Sequence, residues 1–340
     1  MRASSASGDH SRRAGGELTG VGVAGRHHGE ILQGAVRRSG ELVSCLITMP
    51  LGGVGSTARY ASGNLASTAI TPFEPVKPTS GPPHATTRPQ NALEVVPAWK
   101  RKAERAARLA LDFIGAPVAG RLEIECAVAT GVGLGSSTCD VVAAIRAVCA
   151  FHGASIDAHA VARLAIEAEG AADPLMFDGE VVLFAQRHGH VLESFGHWVP
   201  RFTLLSIDTD EGNEGVDTLG LPPPDYTEAE LSAIEAMVGR ARVAFAERDA
   251  PSIAAIATES AALNQRFLPL RHFREIRELA NEYRALGVQI SHSGTVAGLL
   301  FDEGRGVQSD PDLAAHLFAR VRSLGLRPLG LIETAAIRRD

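Results

Sequence analysis

Between Gly131 and Asp140 the chain reads GVGLGSSTCD: three glycines alternate with small apolar residues, and three hydroxyl side chains follow at once. Gly131, Gly133 and Gly135 can take positive φ and carry no side chain to hold a ligand off, so backbone N–H groups can converge on one point. A helix starting there adds unpaired N–H groups and the positive end of its dipole. Ser136, Ser137 and Thr138 add hydroxyls that suit phosphate oxygens or a magnesium ion. Phosphate binding is the chemistry this run fits. The alternative is a glycine-rich turn whose Ser or Thr merely caps a core helix, and the density of the run weighs against it.

Two other phosphate loops do not match. A Walker A loop needs a lysine directly after its last glycine, and lysine occurs only at positions 77, 100 and 102, none in a glycine-rich turn. The dinucleotide fingerprint G-x-G-x-x-G lacks its third glycine, because Ser136, Ser137 and Thr138 follow Gly135.

Further polar residues invite chemistry. In GRHHGEILQG, Gly25 to Gly34, Glu30 and Gln33 suit the ammonium or hydroxyl of a substrate, since a carboxylate complements a cation and an amide serves either group. They could equally be a polar pair at a turn or strand end. His27 and His28 would point apart on a strand, and no third ligand is spaced for zinc, so a surface or hydrogen-bonding role is expected. Ser291, His292, Ser293 and Gly294 follow the β-like GVQI and form a Gly/Ser turn that suits a carboxylate or a phosphate in transfer, or else a tight turn into the next element. The acidic run from Asp208 to Asp217 misses the spacing of a calcium loop and reads as surface.

Positioning these residues requires regular elements. Alternating apolar residues predict strands over Leu18–Val23, Glu41–Met49 and GRLEIECAVAT, which runs straight into the glycine motif. Behind the motif, Val141, Val142, Ile145, Val148 and Cys149 are spaced as a helix closed by Gly153. Upstream, Ala103, Ala106, Ala107, Ala110, Leu111 and Ile114 predict an amphipathic helix with a basic outer face. The segment from Thr71 to Pro97 is rich in Pro, Gly, Ser and Thr and reads as a long surface loop. A helix from Ala158 to about Gly170 precedes the strands GEVVLFAQRHG and RFTLLSID. A capping box at Thr227–Glu230 then opens a helical half, with helices over Pro251–Phe267, Phe273–Leu286 and Pro311–Leu324 and a last strand in LRPLGLIETAA. Strands and helices alternate without a steady βαβ cadence, which predicts an α+β architecture in two parts.

A chain of 340 residues, 45% of them hydrophobic, suffices for two cores, and the boundary is set near Gly196. Residues 1–18 read as a flexible tail, 19–196 as an N-terminal domain and 197–340 as a C-terminal domain. No apolar run of about 20 residues exists to span a bilayer and no signal peptide is evident, so a cytoplasmic protein without membrane association is expected. The formal net charge of −6 argues against a nucleic-acid partner. Cys45, Cys126, Cys139 and Cys149 lack metal or disulfide spacing and are expected to be reduced core residues. Whether the chain forms a homodimer is left open.

GVGLGSST resembles the phosphate-binding motif of the GHMP kinases, approximately P-x-x-x-G-L-G-S-S-A-A, with Leu134 in place. It departs from that motif where Thr130 stands about where proline is usual, and where Thr138, Cys139 and Asp140 replace the alanines. The S-S-T-x-D variant, the G-E-x-x-Q-G of Gly29 to Gly34, GVDTL from Gly215 to Leu219 and SHSGTVAGLLF from Ser291 to Phe301 are similar to the L-threonine kinase branch of that superfamily, in the same order. The resemblance implies a ribosomal-protein-S5-domain-2-like nucleotide-binding half and a ferredoxin-like C-terminal half. It also implies ATP and Mg2+ as cofactors and a small-molecule hydroxy amino acid as acceptor. Gly131, Gly133, Leu134, Gly135, Ser136, Ser137 and Thr138 would hold the phosphates, and Ser137 and Glu169 the magnesium. Asp173 would lie at the acceptor hydroxyl, and Gly29, Glu30, Gln33 and Ser291–Gly294 around the acceptor. A homoserine or sugar kinase, and a catalytically silent nucleotide-binding regulator, are the rival readings.

Overall fold

The computed structural model describes residues 11–14, 17–62, 92–127, 135–210, 220–222, 224–292, 295–304 and 306–334. Strands β1 (Ser11–Ala14), β2 (Glu17–Arg38), β3 (Glu41–Ala61) and β4 (Leu93–Val96) come first, then helix α1 (Arg101–Phe113) and β5 (Gly120–Cys126). Helices α2 (Ser136–Phe151) and α3 (Ala158–Glu169) lead to the hairpin β6 (Val182–Ala185) and β7 (His190–Ser194), and to β8 (Phe202–Asp208). Helices α4 (Glu228–Glu247), α5 (Ala250–Asn264) and α6 (Phe273–Glu282), strands β9 (Gly287–Ile290) and β10 (Val296–Asp302), helix α7 (Pro311–Ser323) and β11 (Arg327–Glu333) follow.

Among the described residues the strands join in one sheet of order β11-β8-β10-β9-β2-β3-β5-β4, with β1 beside β2 and the β6–β7 hairpin beside β3. β4 runs parallel to β5, whereas β2 pairs antiparallel with β3 along nearly its whole length and β10 antiparallel with both β8 and β9. This is the α+β architecture expected. β2 meets β9 at one rung among the described residues, Glu30 opposite Ile290. The β2–β3 register breaks between Ala24 and Arg26, between His27 and Glu30 and between Glu30 and Leu32, and such bulges bend a strand and re-aim its side chains.

The apolar residues fall into three clusters. One packs α1, α2 and α3 against β3 and β5, a second packs α4 and α5 against β2 and β3, and a third packs α6 and α7 against β8, β9 and β10. Helix α2 is buried on nearly every side from Thr138 to Cys149, which is why its sequence has no polar face. It lies directly on β2: a Cβ at Gly20 would sit 2.3 Å from the Ala147 carbonyl oxygen, and one at Gly22 2.1 Å from that of Ala143. Only glycine permits so close an approach of helix to strand.

Several expectations need correction. Leu93–Val96, placed in the surface loop, forms β4, because the parallel ladder to β5 satisfies its backbone; residues 63–91 lie outside the described residues. Ser11–Ala14, placed in the tail, pairs with β2. Strand β2 continues through Gly25–Gly34, where a turn or strand end was the alternative, and within GEVVLFAQRHG only Val182–Ala185 forms a strand, β6, with β7 following as its hairpin partner. Asp208 is buried at the end of β8 and paired with Arg327, not on a surface loop; Glu211, Glu214 and Asp217 lie outside the described residues. The Thr227–Glu230 capping box and the helix starting at Pro311 are as expected. No helix among the described residues is long and apolar enough to cross a membrane.

Candidate active site

Gly135 is the N-cap of α2 and takes the left-handed conformation, φ 70° and ψ 18°, which turns the chain sharply into the helix. No side chain caps this end, so the amides of the first turn are left for a ligand at the positive pole of the helix. Gly131, Gly133 and Leu134 lie outside the described residues. The hydroxyls of the same turn point to one carboxylate: Ser137 Oγ donates to Glu169 Oε2 at 2.7 Å and Thr138 Oγ1 to Glu169 Oε1 at 2.8 Å.

Glu169 is the last residue of α3, which Gly170 ends in a left-handed cap. Burial raises its carboxyl to about 7, against the opposing pull of the two hydroxyls and of Lys102, whose Nζ lies 3.9 Å away. Lys102 stands in the first turn of α1. The fold therefore supplies at the head of α2 the kind of cation that no lysine in the motif itself provides.

The turn after α3 carries Asp173 to the opposite side of Thr138, with the Asp173 amide 3.4 Å from Thr138 Oγ1. Asp173 Oδ2 lies 3.0 Å from His27 Nε2, with the two side chains 16% and 2% exposed. Burial works against a charge on either group, yet each is the other's strongest counter-charge. His27 is raised to about 9 and Asp173 is held below the ordinary carboxylate range. The His27 ring also fills the room in which a side chain at Gly135 would stand, its Nε2 only 1.8 Å from the position of a Cβ there.

Glu30 lies next along β2, and burial, then the nearby Asp173 charge, raises its carboxyl to about 8. Both of its oxygens are buried and make no well-formed hydrogen bond, the Thr48 hydroxyl being the polar group near enough to oppose the rise, and Gln33 Nε2 is likewise without a partner. Gln33 Oε1 instead accepts from His292 Nδ1 at 3.1 Å, and burial holds His292 below its ordinary value. Ser291 is fully buried and its hydroxyl accepts from the amides of Thr295 and Val296, so it braces its own turn; Ser293 and Gly294 lie outside the described residues. Gly29, with φ 55°, lets β2 approach β9, since a Cβ there would stand 2.6 Å from the Ile290 carbonyl oxygen. His28 points the other way, to Ser206 Oγ at 2.8 Å and to Gln289, and burial followed by the His27 charge lowers it to about 3.

Ser137, Thr138, Glu169 and Asp173 are thus linked by short contacts, Gln33 and His292 form a contact of their own, and Glu30 and His292 both lie within the field of the Asp173 charge. Reading residue types missed His27, which was expected at the surface or in a hydrogen bond and is in fact buried, and it missed Lys102. It also missed a buried pair between Lys100 and Asp140, with Ser56 Oγ donating to Asp140 Oδ1 at 2.7 Å, which ties α1 and β3 to the start of α2. A cavity of about 440 Å³ opens alongside, lined by Arg26, Thr48, Pro174 and Phe177 among others. It does not include Ser137, Glu169 or Asp173, so the polar cluster, and not this cavity, marks the chemistry.

Comparison with known proteins gives the same picture. A model described as the GHMP kinases N terminal domain matches residues 101–177, and one described as GHMP kinases C terminal matches residues 241–324. The chain is 24% identical over 278 residues to an L-threonine kinase of Citrobacter freundii, covering 82% of this chain and 84% of that protein. It is 22% identical over 280 residues to an L-threonine kinase of Salmonella typhimurium, covering 82% and 81%. The crystal structure of homoserine kinase from Cytophaga hutchinsonii superposes with a TM-score of 0.62 at 14% identity, over 96% of both chains, a likeness of fold. Matched by GHMP kinase models in both of its halves, the chain has the two-domain GHMP kinase fold and is a phosphotransferase acting on an alcohol group of a small molecule.

Proposed function

We propose that this enzyme transfers the γ-phosphoryl group of ATP to the hydroxyl of a hydroxy amino acid, L-threonine first among them. The observation that carries the acceptor class is Glu30, a buried carboxyl whose oxygens make no well-formed hydrogen bond, with the Thr48 hydroxyl and the charges of Asp173 and His27 nearby. A buried polar group without a partner is costly, and an ammonium group of the substrate would satisfy it. The names of the two relatives favour L-threonine over other acceptors. Arg187, on the turn after β6, lies near enough to His292 for its charge to disfavour the imidazolium.

The first-turn amides of α2 and Lys102 hold the nucleotide phosphates in this reading, and Asp173 orients the acceptor hydroxyl. Ser137 and Glu169 offer hard oxygen donors within 2.7 Å of each other, a set that suits magnesium, which binds through one or two protein carboxylates and keeps water and phosphate in the rest of its shell. When bound there, the ion would neutralise charge on the phosphates. Held as a carboxylate by His27, Asp173 is a weak base, so its part is to accept the hydrogen bond of the hydroxyl and fix its line of approach.

ADP release measured with L-threonine, L-serine, L-homoserine and N-acetyl-L-threonine tests the proposal. Turnover of L-threonine with loss on N-acetylation is expected. Equal turnover of the N-acetylated acceptor would remove the role given to Glu30, and no turnover of any hydroxy amino acid would remove the acceptor class.

A further inference from the structure

On β2, His27 is placed between two breaks in the register with β3, and its ring is buried at the meeting point of three elements. On one side is Asp173, 3.0 Å from Nε2. On the other is Gly135: ring atoms Nε2, Cδ2 and Cε1 would lie 1.8, 2.4 and 3.0 Å from a Cβ at that position. The same stretch of β2 is stitched to α2 a second time, by Cys139 Sγ donating to the Gly25 carbonyl oxygen at 3.2 Å. One ring therefore touches both the residue that begins the anion-binding helix and the carboxylate on the acceptor side.

We infer that His27 is a positioning residue that sets the spacing between the two reactants, its ring seating Gly135 at the head of α2 and fixing Asp173 opposite. The inference rests on the kinase reading above and adds to it the residue that aligns donor and acceptor. A ring packed against backbone is stiffer than a lysine or arginine in the same place, since it has fewer rotatable bonds to order. A glycine is needed at 135 for a second reason besides its φ, because any side chain would displace the ring. In-line transfer is sensitive to such alignment, and a misplacement of about 1 Å costs about 100-fold in rate. The charged and titratable groups around the ring are Asp173, Glu30, His28 and His292.

The test uses the full chain as wild type, His27→Gln, Asp173→Asn and the double variant, with magnesium and ATP present. His27→Gln is expected to lower kcat about 100-fold. ATP affinity by calorimetry should change by less than about threefold, because the first-turn amides remain. The loss in the double variant should be close to that of Asp173→Asn alone, since the two side chains act as a unit. A kcat within about twofold of wild type for His27→Gln, or losses that multiply in the double variant, would overturn the inference. Imidazole nitrogen shifts give a readout that needs neither catalysis nor a folded His27 variant. The His27 ring should be doubly protonated at pH 7.5 in wild type and lose that proton in Asp173→Asn, and nitrogen shifts that stay the same in Asp173→Asn would refute the contact. If no acceptor is phosphorylated by wild type, the kinase reading fails, and the nitrogen shifts still decide the contact separately.

Discussion

Ser137 and Glu169, thirty-two positions apart in the chain, meet through a 2.7 Å hydrogen bond at the junction of the α2 N-terminus and the α3 C-terminus. The bond joins the hydroxyl of the anion-binding turn to a carboxyl that burial holds at about 7. A proton and a divalent cation then compete for one site near neutral pH, because the cation requires the carboxylate.

Glu169→Gln should lower kcat by about 100-fold or more, several kcal/mol of charge stabilisation being lost with the metal. In wild type the magnesium concentration for half-maximal rate should rise as pH falls through about 7, and the variant should lose that dependence. Magnesium titrations of the initial rate at pH 6 and pH 8 check both.

Glu30→Gln should raise the KM for the amino acid by about tenfold or more, the worth of a charge-assisted hydrogen bond, and leave the KM for ATP nearly unchanged. Because the free carboxyl sits at about 8, it is protonated at pH 7 and must release that proton when an ammonium group binds. Acceptor affinity should therefore strengthen as pH rises from 6.5 toward 8, and the variant should show a flat profile. Calorimetry in two buffers of different ionisation enthalpy reads the released proton directly.

Lys102→Met should raise the KM for ATP by about tenfold through loss of a charged contact to phosphate. Its side chain is 51% exposed, so the melting temperature should scarcely move, exposed ion pairs contributing little to stability. Steady-state kinetics and a thermal melt on the same preparation check the pair of outcomes.

Lys100→Met strands a buried Asp140 carboxylate and should destabilise the fold by about 3–5 kcal/mol. Lys100→Met combined with Asp140→Leu removes both charges and should recover part of that loss. Urea unfolding of the two variants checks the order. If the single variant proved as stable as wild type, the pair would be no anchor for the start of α2.

What the sequence made legible and what it hid have a common cause. Gly135 at the end of the glycine motif, α2 behind it and the Thr227 capping box are local: spacing, propensity and hydrogen bonds within a few residues decide them, so Ser136–Thr138 and the helix from Pro311 stand where periodicity puts them. Glu169 and Asp173 were reached through the resemblance, and neither their burial nor their partners could be read from a helix end and a turn. His27 takes the hydrogen-bonding role that is one of its two expected ones, but a histidine in a bulged strand shows neither its burial nor its counter-ion, and Asp173 is far along the chain. The lysines at 100 and 102 were set aside because they are distant from the glycines in sequence, and long-range packing of α1 on α2 brings them back. β4 was hidden in a proline-rich stretch because its pairing is parallel and supplied from outside.

The rung between β2 and β9 gives the site a mechanical property. Glu30 supplies with its backbone the seam between the two parts of the sheet and with its side chain the unpartnered carboxyl of the acceptor side. A tilt of β8, β9 and β10 against β2 and β3 would pivot at that residue, while α2, lying on Gly20 and Gly22 through Ala143 and Ala147, would move with β2. If Glu30 holds the acceptor as proposed, occupancy of that subsite would be coupled to the angle between the two sheet halves, whereas the start of α2 would keep its place on β2.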